Sequence, residues 1–370
     1  MAKENIISKL VYGFIKKNLS IQENHKLEIG IPKSILIIRQ HNQLGDLLAG
    51  VSIFRAIKET FPLSKTTLIV SPENYFGIVK NKLIDRYFVF DKRKLYNPFY
   101  LTKFIKLLRE DFDLVIVPVT VSISFTSNLL ARFANAKIRI GPKSLDGVEN
   151  KSAFLFDRRV PLDWRRSPDS NVADRILDIL RPFGINTNKF NSEISFDNEN
   201  IKAAENFIVG LDRKPSDLLI GIHPGAGKIP NRWSLIKFVD LIKKLNENFD
   251  VKIYITGSNS DKEEINYIKQ NIPFEIGFYL NKSIPEVAAL ISISDLFITN
   301  DTGIMHVAGA TATPQISIFG PTNPYNWAPS GSNKIFIRKS ELIDEISIDE
   351  VYELCLPFLT QKDRSSQNAK

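Results

Sequence analysis

The sequence predicts an α/β chain of two consecutive Rossmann-like lobes with mostly parallel sheets. Three observations carry this. Short, β-rich apolar runs alternate with helical periods along most of the 370 residues, the alternation restarts after a polar linker, and tight glycine-bearing turns follow several of the runs.

The first twenty residues place Ile6, Ile7, Leu10, Val11, Phe14 and Ile15 on one helical stripe, with Lys3, Lys9, Lys16 and Lys17 off it. This is a short basic amphipathic helix at the start of an extension over residues 1–33. It either packs on its own domain or lies on an anionic bilayer. The run SILIIR at 34–39 is continuously apolar, as a strand buried on both faces requires, and QHNQLGD then leads to a helical period at Leu47, Val51, Phe54 and Ile57. Further strands are expected at TTLIV (66–70), RYFVF (86–90) and DLVIVPV (113–119), with a helix over 98–110. The pattern weakens over 142–168, which reads as loops near a cleft. A helix over 171–183 ends at Gly184, and INTNKFNSEISFDNEN has the polarity of a linker.

The second series starts at LLIGIHPGAG (218–227). It continues through a helix at 235–248, the strand VKIYIT (251–256), helices from Asp261 and at 284–291, and the strands LFIT (296–299) and QISIFG (315–320). The resulting division is an extension (1–33), a first lobe (34–190), a second lobe (191–340) and a C-terminal helix with a polar tail (341–370), of which DRSSQNAK is expected to be disordered. Ligands of such sheets bind beyond the carboxyl ends of the strands. The turns at Gly45-Asp46, Gly225-Ala226 and Asp301-Thr302-Gly303 are therefore expected to converge on one cleft.

Composition narrows the function. With 43% hydrophobic and 24% charged residues the chain is globular, and it has no apolar stretch of membrane-spanning length. MAKENIISKL carries charge inside any would-be signal sequence, so the expected location is the cytoplasm. The single Cys355 excludes an internal disulfide, and four scattered histidines suggest no metal cluster; neither a metal nor a cofactor is expected. The net charge of +8 calls for an anionic partner. Its basic residues are spread along the chain without a nucleic-acid-binding signature, which favours nucleotide phosphates or an anionic membrane surface over nucleic acid.

The most informative stretch is TNDTGIMHVAGATATPQISIFGPTNP, residues 299–324. A strand breaks at Asn300-Asp301-Thr302-Gly303 and a helical pattern follows. The first turn of such a helix offers unpaired N–H groups and a partial positive charge, and Gly303 has no Cβ to block a ligand, so a phosphate fits. Asp301 would repel that phosphate at close range. It either caps the helix or accepts hydrogen bonds from hydroxyls, and a sugar joined to a phosphate satisfies both groups.

Three segments, RQHNQLGDLLAGVSIFRAIKETFP, GIHPGAGKIPNRWSLIKFVDLIKKL and the stretch just described, resemble in order and spacing the signature regions of glycosyltransferase family 9, which contains the ADP-heptose:lipopolysaccharide heptosyltransferases. The resemblance spans residues 35–327. It implies a GT-B fold with two lobes facing a central cleft, and metal-independent transfer, with inversion, of a heptose from ADP-heptose to a lipopolysaccharide core or related surface glycolipid. The acceptor-facing loops are expected within 119–166, and peripheral contact with the anionic inner-membrane surface fits this role.

Inverting transfer needs a base for the acceptor hydroxyl and a cradle for the departing diphosphate. The resemblance places the base at Asp46, at the start of a helix whose dipole favours the ionised form, after the flexible Gly45; the alternative for Asp46 is a simple cap. It assigns the diphosphate to Thr302 and Gly303, with help from the loop after Gly225 and Ala226, and sugar hydroxyls to Asp301. His306, one turn into the helix, either touches a phosphate or stabilises the turn. Asp261 either bonds ribose hydroxyls or caps its helix. The family pattern of a lysine before Arg/His and Trp is replaced by Asn231-Arg232-Trp233, so Lys228 or Arg232 must supply the missing cation. A sugar-nucleotide epimerase of the same fold and a non-catalytic nucleotide-sugar binder are the competing readings.

Overall fold

The computed structural model describes residues 6–41 and 43–367; the side chains of 6–11 and 361–367 lie outside the described residues. The chain divides into two compact units. The first comprises Met1–Asn42, Gly50–Tyr75 and Lys82–Phe190, and the second comprises Gln43–Ala49, Phe76–Asn81 and Asn191–Lys370.

The first unit holds β1 (Ser34–Arg39), β2 (Lys65–Val70), β3 (Arg86–Val89), β4 (Phe112–Ile116), β5 (Ala136–Leu145), β6 (Val148–Glu149) and β7 (Arg158–Leu162). They form one sheet in the order β3-β2-β1-β4-β5-β6, with β7 also paired to β5 and only the short β5–β6 hairpin antiparallel. The second unit holds β8 (Leu218–His223), β9 (Val251–Gly257), β10 (Gly277–Leu280), β11 (Leu296–Asn300), β12 (Gln315–Ile318) and β13 (Lys334–Ile337), all parallel in the order β10-β9-β8-β11-β12-β13. Each sheet reverses its strand order beside its first strand, between β1 and β4 and between β8 and β11. These crevices are where open α/β sheets bind ligands.

Period-2 alternation explains why the second sheet is apolar throughout. Ile220, Ile222, Ile253, Ile255, Ile298 and Ile316 feed one core, with Trp233, Phe238 and Leu245 above them. Leu219, Tyr254 and Phe297 feed the other, under Val287 to Ile291, Val307 and Ala308. Both faces are covered, so both sets of side chains are buried.

The structure departs from the sequence reading in four places. Residues 142–168 are not all loop: β5 runs to Leu145 and β6 and β7 follow, in a segment where Pro142, Pro161 and the flanking arginines hide the strand pattern. The helix expected over 171–183 breaks after Val172–Arg175 into two 3₁₀ turns; Pro182 supplies no N–H to continue it, and Gly184, at φ +75°, ends it. The linker ends in a helix, Asn198–Val209, which the Asp197–Asn200 capping box starts. In the expected polar tail, 363–367 continue the helix Ile348–Gln367, and 368–370 lie outside the described residues.

The helix Ile6–Leu19 is held to the first unit through Tyr12, whose hydroxyl donates to the Lys151 carbonyl at 2.8 Å and whose ring meets Phe154 edge-on at 5.8 Å. No helix among the described residues is long and apolar enough to cross a membrane.

At the centre of the second sheet, a Cβ on Gly221 would stand 2.4 Å from the Tyr254 ring and 2.6 Å from Phe297. Gly221→Ala is therefore expected to lower the unfolding free energy by about 1–3 kcal/mol through overpacking, measured by urea denaturation.

Candidate active site

The predicted site residues gather in the second unit, and the segment that carries Asp46 is among them. The helix Leu44–Ala49 belongs to this unit by its packing, whereas the sequence reading placed it in the first lobe. Leu48 is fully buried in the cluster of Ala204, Tyr254, Val287 and Ala308, its carbonyl accepts from the Ser192 hydroxyl at 2.7 Å, and Leu44 fills the space above Gly77. Gly45 lies so close to His306 that a Cβ would fall 2.7 Å from ring Cδ2 and 3.1 Å from Nε2. A Cβ built on Gly303 would meet Leu44 at 3.9 Å, an ordinary contact distance. Asp46 stands in the first turn of its helix and is 7% exposed.

The helix Gly303–Gly309 follows β11, with Thr302 as N-cap residue. The capping alternative for Asp301 does not hold: the N-cap residue Thr302 makes no side-chain cap bond, and the Asp301 carboxylate turns to Asn231 Nδ2, which donates at 2.9 Å. Burial pushes Asp301 above the usual carboxylate range, against the opposing influence of the Thr322 hydroxyl and the Lys228 charge. His306, one turn in, is packed against Gly45 and meets Trp327 edge-on at 6.2 Å. Burial brings its ring down to about 4, so it is neutral near pH 7.

The loop after β8 is fixed by a residue the sequence reading did not single out. Asn300, fully buried at the end of β11, donates from Nδ2 to the Pro224 carbonyl at 2.7 Å and accepts from the Trp233 backbone N–H at 3.3 Å. It thus joins the loops on both sides of the crevice between β8 and β11. Gly225 is obligatory there, because a Cβ would sit 2.2 Å from Asp261 Oδ1. Asp261 precedes the helix Lys262–Asn271 but makes no side-chain cap bond to it; its Oδ2 instead accepts from the Ser258 backbone N–H at 2.8 Å and closes the capping box of the 3₁₀ turn Asn259–Asp261. His223, beside Gly225, holds Nδ1 3.0 Å from the Thr256 carbonyl; burial lowers its basicity, which leaves a neutral ring protonated at Nδ1.

The two candidate cations differ. Arg232 Nε donates to the Ala226 carbonyl at 2.8 Å, and its guanidinium pairs with the buried Glu264 at 2.6 Å. It is committed to bracing the loop. Lys228 is exposed at the start of the 3₁₀ turn Ile229–Asn231 and has no ion-pair partner among the described residues.

In the first unit, the carboxyl ends of β1, β2 and β3 line a depression of about 480 Å³ that includes Gln40, His41, Glu73, Lys92, Arg93 and Ser124. Burial, Arg39 and Lys92 lower the basicity of His41. Most of these residues lie outside the 119–166 segment in which the sequence placed the acceptor-facing loops. No group of three or more His, Cys, Asp or Glu among the described residues is arranged to hold a metal ion.

The profile of glycosyltransferase family 9 (heptosyltransferase) matches residues 101–350, well over half of the chain. Lipopolysaccharide heptosyltransferase 3 of Escherichia coli is 27% identical over 333 residues, covering 85% of this chain and 93% of that protein. Lipooligosaccharide heptosyltransferase 2 of Haemophilus influenzae is 28% identical over 252 residues, covering 64% and 68%. Among solved structures, a family 9 glycosyltransferase from Veillonella parvula superposes with a TM-score of 0.77 at 18% identity, over 93% of this chain and all of that one. The E. coli ADP-heptose lipopolysaccharide heptosyltransferase II gives 0.72 at 18% identity, over 89% and 99%. These likenesses establish the GT-B fold that the sequence resemblance implied.

A buried histidine that stays neutral binds fewer protons folded than unfolded. His306 therefore contributes stability above its ordinary value of 6.5 and loses it as pH falls toward 4. Between pH 7 and pH 5 this amounts to about 2 kcal/mol. The loss is expected in urea unfolding of the wild-type chain and should be absent from His306→Gln, with His223 contributing equally to both.

Proposed function

Because this chain belongs to glycosyltransferase family 9, the heptosyltransferase family, we propose that it moves a heptose, with inversion and without a metal ion, from ADP-heptose to a lipopolysaccharide core or related surface glycolipid. The observation that carries the residue assignment is the seating of the Asp46-bearing helix on Gly303–Gly309, with Gly45 against His306. That packing sets the helix of Asp46 against the helix that follows Asp301 within one compact unit, which supports a base beside the donor cradle. In this reading Asp46 takes the proton from the acceptor hydroxyl as its oxygen attacks the anomeric carbon, and the bond to the diphosphate breaks on the opposite face. Thr302 and the N–H groups around Gly303 receive part of the leaving charge, with the Gly225-Ala226 loop beside them. Asp301 accepts from donor hydroxyls, and Asp261 stays bonded to Ser258.

Lys228 supplies the cation that the family lysine would bring. Asn231, standing where that lysine is usual, is occupied with Asp301, and Arg232 with Glu264. The Asn231 substitution also motivates the rival reading of a donor-binding protein without transfer. Release of ADP together with a glycosylated acceptor, followed by mass spectrometry, decides between them, because a pure binder protects the donor.

Three outcomes are expected. Asp46→Asn should bind donor near the wild-type level and transfer roughly two to four orders of magnitude more slowly in single-turnover assays. Lys228→Ala should weaken ADP binding by about 1.5–3 kcal/mol in calorimetric titration, less at high salt, whereas Arg232→Ala should chiefly lower the melting temperature. Transfer should survive saturating EDTA, with loss of activity restored by magnesium counting against the reading.

A further inference from the structure

The Asp301 carboxylate sits beside the residues proposed to receive the diphosphate, and the side chains bonded to it are neutral. Asn231 Nδ2 donates to Oδ2 at 2.9 Å, and the same amide lies 3.4 Å from the Asp301 carbonyl and 3.5 Å from the Thr322 hydroxyl. Thr322 hydrogen-bonds the carboxylate in turn. The cluster is fixed in place. The Asp301 backbone N–H donates to the Ile318 carbonyl of β12 at 3.1 Å, and Asn231 is buried, its own N–H bonded to the Lys228 carbonyl at 3.0 Å. Beyond Asn231 the chain is pinned by Arg232 on Glu264 and by Trp233, whose indole N–H donates to the Ile346 carbonyl at 3.0 Å.

In the family pattern a lysine stands at position 231. An ammonium in the place of the Asn231 amide would put a positive charge at hydrogen-bond distance, which typically lowers a carboxyl's pKa by about 1–3. The amide gives the hydrogen bond without the charge. Burial already favours the neutral carboxyl at Asp301, and the charge that opposes it belongs to Lys228, on an exposed turn. The other titratable groups on the surrounding elements are engaged elsewhere. Arg232 pairs with Glu264, Arg338 just past β13 donates to the Gly320 carbonyl at 2.7 Å, and His223 and His306 are buried and neutral. Asp46 stands on the helix packed against Gly303–Gly309. A sugar nucleotide then brings the negative charge of its diphosphate to Thr302 and Gly303. Neighbouring Cα atoms are about 3.8 Å apart, well inside the roughly 8 Å over which salt leaves charges unscreened, so the phosphates and an ionised Asp301 repel each other.

We propose that Asp301 takes up a proton at Oδ1 when a nucleoside-diphosphate sugar seats on Thr302 and Gly303, and that Asn231, in place of the lysine, makes sugar-nucleotide binding proton-linked in this chain. The atom follows from hydrogen-bond chemistry. An amide nitrogen can only donate, so Oδ2 stays an acceptor toward Asn231 and keeps a second lone pair for a sugar hydroxyl. The hydrogen on Oδ1 removes the repulsion and gives the site a donor toward the ligand. Solvent supplies this proton on binding and recovers it when the nucleotide leaves. The inference rests on the proposed sugar-nucleotide site and goes beyond it by giving Asn231 control over how tightly that site binds at each pH.

The test is calorimetric titration of ADP-heptose into the full chain in buffers of different ionisation enthalpy, where the buffer dependence of the measured heat counts the protons exchanged. The esterified diphosphate has no proton to exchange between about pH 5 and 8, so any uptake belongs to the protein. Wild type should take up as much as one proton near about pH 6. Its affinity should fall by up to about tenfold for each pH unit upward through the window in which the free carboxyl is ionised and the bound one is not. Asn231→Lys should lose both the uptake and the pH slope, because the ammonium keeps Asp301 ionised in both states. Asp301→Asn should lose them too, having nothing to titrate, while Asp46→Asn and His306→Gln should keep them. Cooperative melting curves identify the folded variants. No uptake by a wild type that binds, undiminished uptake in Asn231→Lys or Asp301→Asn, or its loss in the Asp46 or His306 variant would overturn the proposal. Failure of wild type to bind ADP-heptose at all would instead refute the ADP-heptose reading, and the proton linkage with it.

Discussion

The absence of a side chain at Gly45 is the constraint on which the candidate site depends. With a Cβ the helix Leu44–Ala49 would collide with the His306 ring, and the alternatives are to shift the ring or the helix. The ring is confined by burial and by Trp327, and the helix by Leu44 against Gly77 and Leu48 in a fully packed cluster. Burial also explains why His306 stays neutral, since desolvation penalises an imidazolium there. The position of Asp46 is therefore a packing result, obtained from groups that take no part in proton transfer.

A second layer of organisation lies in how the strand ends are wired. Asn300 uses both ends of its amide to hold the Pro224 loop and the Trp233 segment, so the crevice walls are joined by one buried side chain rather than by the sheet alone. Next to it, charge is distributed with little waste. Glu264 is matched by Arg232, Asp301 is stabilised by neutral Asn231 and by the field of Lys228, and Lys228 itself is left without an ion-pair partner among the described residues. An arginine already bonded to a buried carboxylate and a carbonyl cannot follow a ligand's charge without exposing both. A lysine on a solvent-facing turn can.

Elements whose own residues satisfy their surroundings were legible in the sequence. β1 is legible to the residue because a strand buried on both faces is continuously apolar, and the helix Leu235–Asn248 because its five buried positions recur at helical spacing. β5 and β7 are hidden in the sequence because arginines that bond backbone carbonyls, as Arg139 and Arg159 do, break the apolar run without breaking the strand. Within the site, the turns at Gly45, Gly225 and Gly303 could be found from composition and resemblance, and the glycines at 45 and 225 mark real close approaches. The allegiance of Gln43–Ala49 could not: six helical residues with three leucines, Leu44, Leu47 and Leu48, look the same whichever core receives them. Nor could the commitment of Arg232 be foreseen, since Glu264 is distant in sequence and reads as an ordinary surface helix residue.

The path of the chain has a consequence for how such proteins can be recombined. It leaves the first unit at Gln43, returns at Gly50, leaves again at Phe76, returns at Lys82 and departs finally at Asn191. A fragment beginning at residue 191 would lack Leu44 and Leu48, which complete its own core, and a chimera joined at that point would install a foreign segment beneath Gly303. Exchange of the first unit between relatives is thus not modular. The graft carries with it a piece of the recipient's interior, and only donors whose equivalents of Leu44, Gly45 and Leu48 match the host's His306 and Ala308 surfaces would be accepted.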